Sequence, residues 1–172
     1  MVALFVAVMF GGGASFDEEK VAFSFNNVGY VHRYAKDNLT EFTPKGQADL
    51  KAWKDMLTIN DYPHVKTGED LAKSANSVLE TYKRNKAVVV RTDSVPRTAA
   101  KEAEHLVVVM FPTPNFIEAA FARFVIVDGK GLSIVYSHRI YGKKAGDDMS
   151  KWLLKNGEKV EKVLMAMPVP KH

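Results

Sequence analysis

The chain contains no cysteine, which removes disulfide frameworks, thiol nucleophiles and Cys-ligated zinc from consideration. No Gly-x-Ser-x-Gly elbow or Walker sequence occurs, and the glycines at 11–13 are followed by neither a helix start nor Lys-Ser/Thr. They do not read as a phosphate cradle. Of the five histidines, none stands in a His-x-x-x-His or Glu-x-x-His arrangement on a helix; zinc and di-iron signatures are absent, and neither a metal nor a cofactor is expected. The Lys/Arg-Gly-aromatic pattern of RNA-binding domains is also missing, so nucleic acid is not an expected partner. The longest N-terminal apolar run, residues 2–10, is too short to cross a bilayer as a helix. No membrane span is expected in the mature chain.

What is present is ordinary globular chemistry. The 172 residues fit one domain, and 47% hydrophobic against 26% charged residues support a packed core. A net charge of +4, with both signs interspersed, sets solubility without choosing a partner. Residues 2–10 suit the apolar region of a secretory signal, with Gly12 and Ala14 giving small-x-small before Ser15. A basic leader is missing, since Met1 runs straight into the apolar stretch, and a first strand is the alternative. The expectation is an export signal over residues 1–15, a single α+β domain over 16–172, and work in the periplasm or outside the cell.

Along the chain, residues 21–25 and 30–36 read as strands around an Asn26-Asn27-Val28-Gly29 turn, with 39–43 extending the second. Residues 53–60 read as a strand closed by Pro63, because Thr58 and Ile59 are β-branched. Leu71, Ala75, Val78, Leu79 and Tyr82 share one helical face over 67–85, with Thr67 as cap and Glu69 and Asp70 in the first turn. A strand over 87–92 and a loop over 94–100 follow. Strands over 104–111, 116–128 and 132–141 then lead to an amphipathic helix over 148–167, weakened by Gly157.

The stretch 104–141 organises the rest. With a tight turn at Asp128 and Gly129, a first face carries Ile117, Ala119, Phe121, Val125, Leu132, Ile134 and Tyr136. A second carries Phe116, Ala120, Ala122, Phe124, Ile126 and Val135. Both faces are apolar, so both need covering. The expected fold is α+β, an antiparallel β-sheet with helices on both faces, an α/β/α sandwich. Arg123 and His138 interrupt the first face and Glu118 and Arg139 the second, the last two opposed as a cross-strand ion pair.

Three functional readings follow. In the first, the chain is a non-enzymatic binding or assembly module that takes an unknown protein or small ligand at a sheet edge or loop rim. In the second, Glu104, His105 and His138 meet at one end of the sheet as a base with its carboxylate, giving a hydrolase-type enzyme. Ser137 does not join them as nucleophile, because adjacent strand residues point to opposite faces. In the third, Arg91, Arg97 and Arg139 form an anion-binding rim, with Arg123 and Tyr141 as further ligand-binding candidates and Tyr136 as a stacking group.

The order of elements, Asp61-Tyr62-Pro63 before the first helix and the long hairpin over 116–141 together resemble the PsbP-like family. That family comprises the extrinsic photosystem subunits and their bacterial and Ran-binding relatives. The resemblance covers most of residues 21–167. It implies an α/β/α sandwich and a non-enzymatic, often exported, binding module; it places no functional residue on this chain.

Overall fold

The computed structural model describes residues 19–171. Eight strands and two helices follow in order: β1 Val21–Phe25, β2 Val28–Lys36, β3 Leu39–Pro44, β4 Asp55–Tyr62, α1 Gly68–Arg84, β5 Val88–Val95, β6 Glu104–Pro112, β7 Phe116–Val127, β8 Lys130–Tyr141 and α2 Ala145–Ala166. The strands form one antiparallel sheet in the order β1-β2-β3-β4-β8-β7-β6-β5. Two four-stranded meanders are thus joined edge to edge. After β4 the chain crosses through α1 to the far edge, enters as β5, and winds back until β8 pairs with β4.

Turn chemistry sets the first boundaries. Asn26 and Asn27 both take positive φ, 48° and 64°, so the first hairpin closes in two residues and β2 begins at Val28. Asp37 at φ 53° makes a further turn, so residues 39–44 are a separate strand, not an extension of β2. Asp128 and Gly129, at φ 51° and 70°, close the β7–β8 hairpin and set Glu118 opposite Arg139 and Phe121 opposite Tyr136. β5 runs through Ser94 to Val95 because both pair with β6, opposite His105 and Glu104. The expected loop begins only at Pro96.

The packing follows the alternation of side chains. Met149, Val160 and Leu164 of α2 cluster with Leu106, Val108, Phe121, Ile134 and Tyr136, all on the first face. Leu71 and Ala75 of α1 cluster with Val107, Val109, Ala122, Phe124 and Val135, all on the second. Thr67 caps α1, its Oγ accepting from the Asp70 N–H, and Lys83 and Arg84 occupy the last turn, where cations oppose the helix dipole. The last turn of α2 has no basic residue; its carbonyls find a donor from the sheet.

Gly157 is buried in α2, yet a Cβ built there meets nothing within 4 Å. Gly157→Ala is therefore expected to stabilise the chain by about 0.5–1 kcal/mol, because it removes backbone freedom from the unfolded state without overpacking the native one. Chemical denaturation measures this, and an unchanged or lowered midpoint contradicts it.

Candidate functional site

β5 is an edge strand, and all eight of its residues are exposed. Val88, Val89, Val90 and Val95 are among them, at 39% to 51%. β-Branched residues give the segment its strand character, but among the described residues no element covers its outer flank. Beside it runs an open trough of about 520 Å³ between α1 and the sheet, lined by Ala72, Asn76 and Leu79 of α1, Thr92 and Ser94 of β5 and His105 of β6. The helix side is apolar apart from the Asn76 amide, and the strand side bears the Thr92 and Ser94 hydroxyls. Such a trough can accept a chain segment that pairs with the edge and lays a side chain beside α1.

At the end of the trough the Ser94 hydroxyl lies 2.8 Å from His105 Nδ1. The other ring nitrogen, Nε2, is buried and has no hydrogen-bond partner among the described residues. Burial holds this imidazole below its usual pKa, so it is neutral at pH 7. Among the described residues no carboxylate orients it. Asp93 accepts instead from the Ser94 N–H, at 2.8 Å, and from Arg91, at 2.7 Å. Glu104, next along β6, turns to the other face.

There Glu104 is 1% exposed and forms a two-pronged pair with Arg123, at 2.7 and 3.1 Å. The same guanidinium donates to the carbonyls of Leu164 and Met167, at 3.0 and 2.7 Å, and so closes the end of α2. Burial raises the Glu104 carboxyl, but hydrogen bonds from Arg123 and Lys101 outweigh it and hold the group below its ordinary value. Arg123, a ligand-binding candidate in the sequence, is spent on the fold.

The constellation of Glu104, His105 and His138 does not assemble. His105 pairs with Phe124 on the second face, whereas His138 pairs with Ala119 and Asp55 on the first. The sheet itself lies between the two imidazoles, and β7 and several residue steps separate them. His138 instead meets Asp55, with Nδ1 2.8 Å from Oδ1, and stacks on Trp152 at 4.1 Å and 9°. Asp55 also accepts from the Tyr136 hydroxyl at 2.7 Å. Burial raises its carboxyl, but the His138 and Tyr136 hydrogen bonds bring it below the ordinary value. Sequence reasoning missed Asp55 because its partners come from β8, 81 and 83 residues away.

The arginine rim does not converge either. Arg91, on the edge strand, bonds Asp93 and reaches Glu161 of α2 at 3.2 Å. Arg97 lies in the loop after β5, 3.8 Å from Glu102. Arg139 is on β8 and the opposite face, bonded to Glu118 at 2.8 Å and held 3.7 Å above the Trp53 ring and 4.3 Å from Phe116. Tyr141 donates to the Trp53 carbonyl at 2.7 Å. Each cation has its own carboxylate, so none of the three is a spare charge for a shared anion. Among the described residues no group of His, Asp and Glu is arranged to hold a metal ion, and no helix is long and apolar enough to cross a membrane.

No protein-family model matches the chain. No curated protein sequence matches it. Among solved structures it is similar to the Ran-binding protein Mog1p of Saccharomyces cerevisiae, with a TM-score of 0.54 and 12% identity over 80% of this chain and 82% of that one. A point mutant of Mog1 gives a TM-score of 0.53 and 11% identity over the same shares. At such identity the likeness shows the fold alone, a Mog1/PsbP-like one. The sequence resemblance is corrected accordingly: the matched structures are of Mog1, not of a photosystem subunit. The expectation of export is corrected as well, because similarity to a Ran-binding protein points away from the periplasm and from secretion. The proposed signal, residues 1–15, lies outside the described residues.

Proposed function

We propose that this chain is a non-enzymatic protein-binding module that takes its partner along the open edge of β5 and the trough beside it. In this reading residues 16–172 form one domain, and α1 and α2 cover the two faces of the sheet as an α/β/α sandwich. The two separate apolar clusters, one with each helix, support that arrangement. The observation that carries the functional reading is the exposure of β5 from end to end, with four valines open to solvent. An edge strand offers a row of unpaired N–H and C=O groups, and an extended segment of another protein can satisfy them. The scattered, individually paired cations and the divided histidines offer no comparable site for a small anion or for acid-base chemistry.

Because the Mog1p protein whose structure it resembles is described as Ran-binding, a Ran-class GTPase is the first partner to test, by calorimetric titration into the purified chain. Val90→Asp places a charge on the exposed edge without disturbing the core and is expected to weaken binding by at least about tenfold. Unchanged affinity of a normally folded variant overturns the β5 docking surface. A native chain that does not bind the GTPase removes that partner class, and protection of β5 amides from hydrogen exchange by other candidate proteins then becomes the measure of the edge.

A further inference from the structure

We infer that the partner seated on the β5 edge of the free protein is a second copy of this chain, paired antiparallel through a two-fold axis at Thr92. The inference rests on the reading of β5 as a docking edge. The edge sequence is Val88, Val89, Val90, Arg91, Thr92, Asp93, Ser94 and Val95, and its charges stand symmetrically about Thr92. An antiparallel two-fold centred there sets Arg91 of each copy directly opposite Asp93 of the other, and Thr92 opposite Thr92. The axis is perpendicular to the sheet, so side chains that share a face in one copy share it with their mates. Arg91 and Asp93 pair with Val108 and Leu106 of β6, both first-face residues, so the two charged pairs form side by side.

Neighbouring registers are worse. A two-fold at Arg91 opposes arginine to arginine, and one at Asp93 opposes aspartate to aspartate, arrangements that cost energy across strands. Only the Thr92 register makes both pairs complementary. Within one chain the two side chains are bonded to each other at 2.7 Å and are 51% and 54% exposed, so on association they exchange that contact for the equivalent one with a second copy without leaving a buried site. Arg91 keeps Glu161 within 3.2 Å, which holds its guanidinium over the strand.

The same strand carries the device that limits the contact. A β-bulge between Val89 and Arg91 breaks the ladder to β6, and Pro96 follows Val95. Bulges and prolines blunt an edge against open-ended pairing. A two-fold at Thr92 sets residues 94 and 95 opposite the bulged residues 90 and 89 of the other copy, so the regular contact is the short stretch 91–93 that carries both charged pairs. An isologous contact of this kind closes at two copies and does not grow into a fibre.

Charge exchange tests the register. By analytical ultracentrifugation the native chain is expected to sediment at twice its single-chain mass, while R91D alone and D93R alone each sediment as single chains. An equimolar mixture of R91D and D93R restores the dimer, because each then offers the charge the other needs. The double variant R91D/D93R dimerises by itself. A native chain that remains monomeric overturns the inference; if Val90→Asp nevertheless abolishes partner binding, the docking edge stands and only its occupant was misassigned. A dimer that persists unchanged in both single variants overturns the β5 contact. Single variants that stay monomeric when mixed overturn the Thr92 register. Circular dichroism of each variant confirms that these exposed substitutions leave the fold intact.

Discussion

Replacing Arg123 by methionine is expected to cost about 3–5 kcal/mol of folding stability, the range for breaking a buried ion pair by removing one partner. Arg123 is 5% exposed and Glu104 1%, so the carboxylate left behind sits out of water with only Lys101 at its margin. Two carbonyls at the end of α2, those of Leu164 and Met167, lose their donor at the same time. The last turn of that helix has no basic residue to replace it. A chain of this length should then melt about 6–20 °C lower. Thermal denaturation followed by circular dichroism measures the shift, and a change of less than about 1 kcal/mol would sink the account.

The pH dependence carries a sign that can be checked. The folded-state pKa of Glu104 is lowered, so its contribution is fully present above the unfolded carboxylate pKa near 4.3 and is lost as pH falls through the lower folded value. In the Arg123→Met variant the carboxylate has lost its main partner, and acid relieves the buried charge. The stability gap between native and variant chains should therefore narrow as pH falls below about 4. The double variant Glu104→Met with Arg123→Met should be less destabilised than Arg123→Met alone, because it leaves no buried charge.

Phe121→Ala is expected to cost about 3–5 kcal/mol through a different mechanism, a cavity the surrounding structure fills only in part. Phe121 is 1% exposed at the centre of β7. Its ring lies 6.1 Å from that of Tyr136 and 6.3 Å from that of Trp152, so it joins α2 to the sheet. Trp152 in turn stacks on His138. The substitution should lower the unfolding midpoint in denaturant and alter tryptophan fluorescence before global unfolding. A variant as stable as the native chain would show that this layer is not close-packed. Phe121→Leu should lose less, since it retains most of the buried volume.

Much of the fold was legible because its signals are local. The alternation over 116–141 separates Phe121 from Ala122, and the Asp128-Gly129 turn fixes which residues of β7 and β8 oppose each other. Glu118 with Arg139 was readable for that reason. The periodicity of Leu71 and Ala75 likewise marked α1. Element boundaries were less legible where pairing overrode propensity, as at Ser94, which reads as loop and sits in a strand because β6 lies beside it. The candidate chemistry was least legible. His105 and His138 were both noticed, but the face each occupies depends on the register of strands far apart in sequence, and register by one residue reverses a face.

By itself, then, the sequence determined an α+β chain of antiparallel strands and two amphipathic helices, with a central hairpin apolar on both sides. It determined this because side-chain period and turn conformation are properties of a few adjacent residues. Only the tertiary structure decided that β5 ends at the open edge, that Arg123 closes α2, and that Asp55 receives His138 and Tyr136. These depend on which strand neighbours which, a choice made by the burial of whole faces and not by any one segment. The same physics leaves the valines of β5 exposed: strand-forming residues specify a strand, but only strand order decides whether it gains a second neighbour.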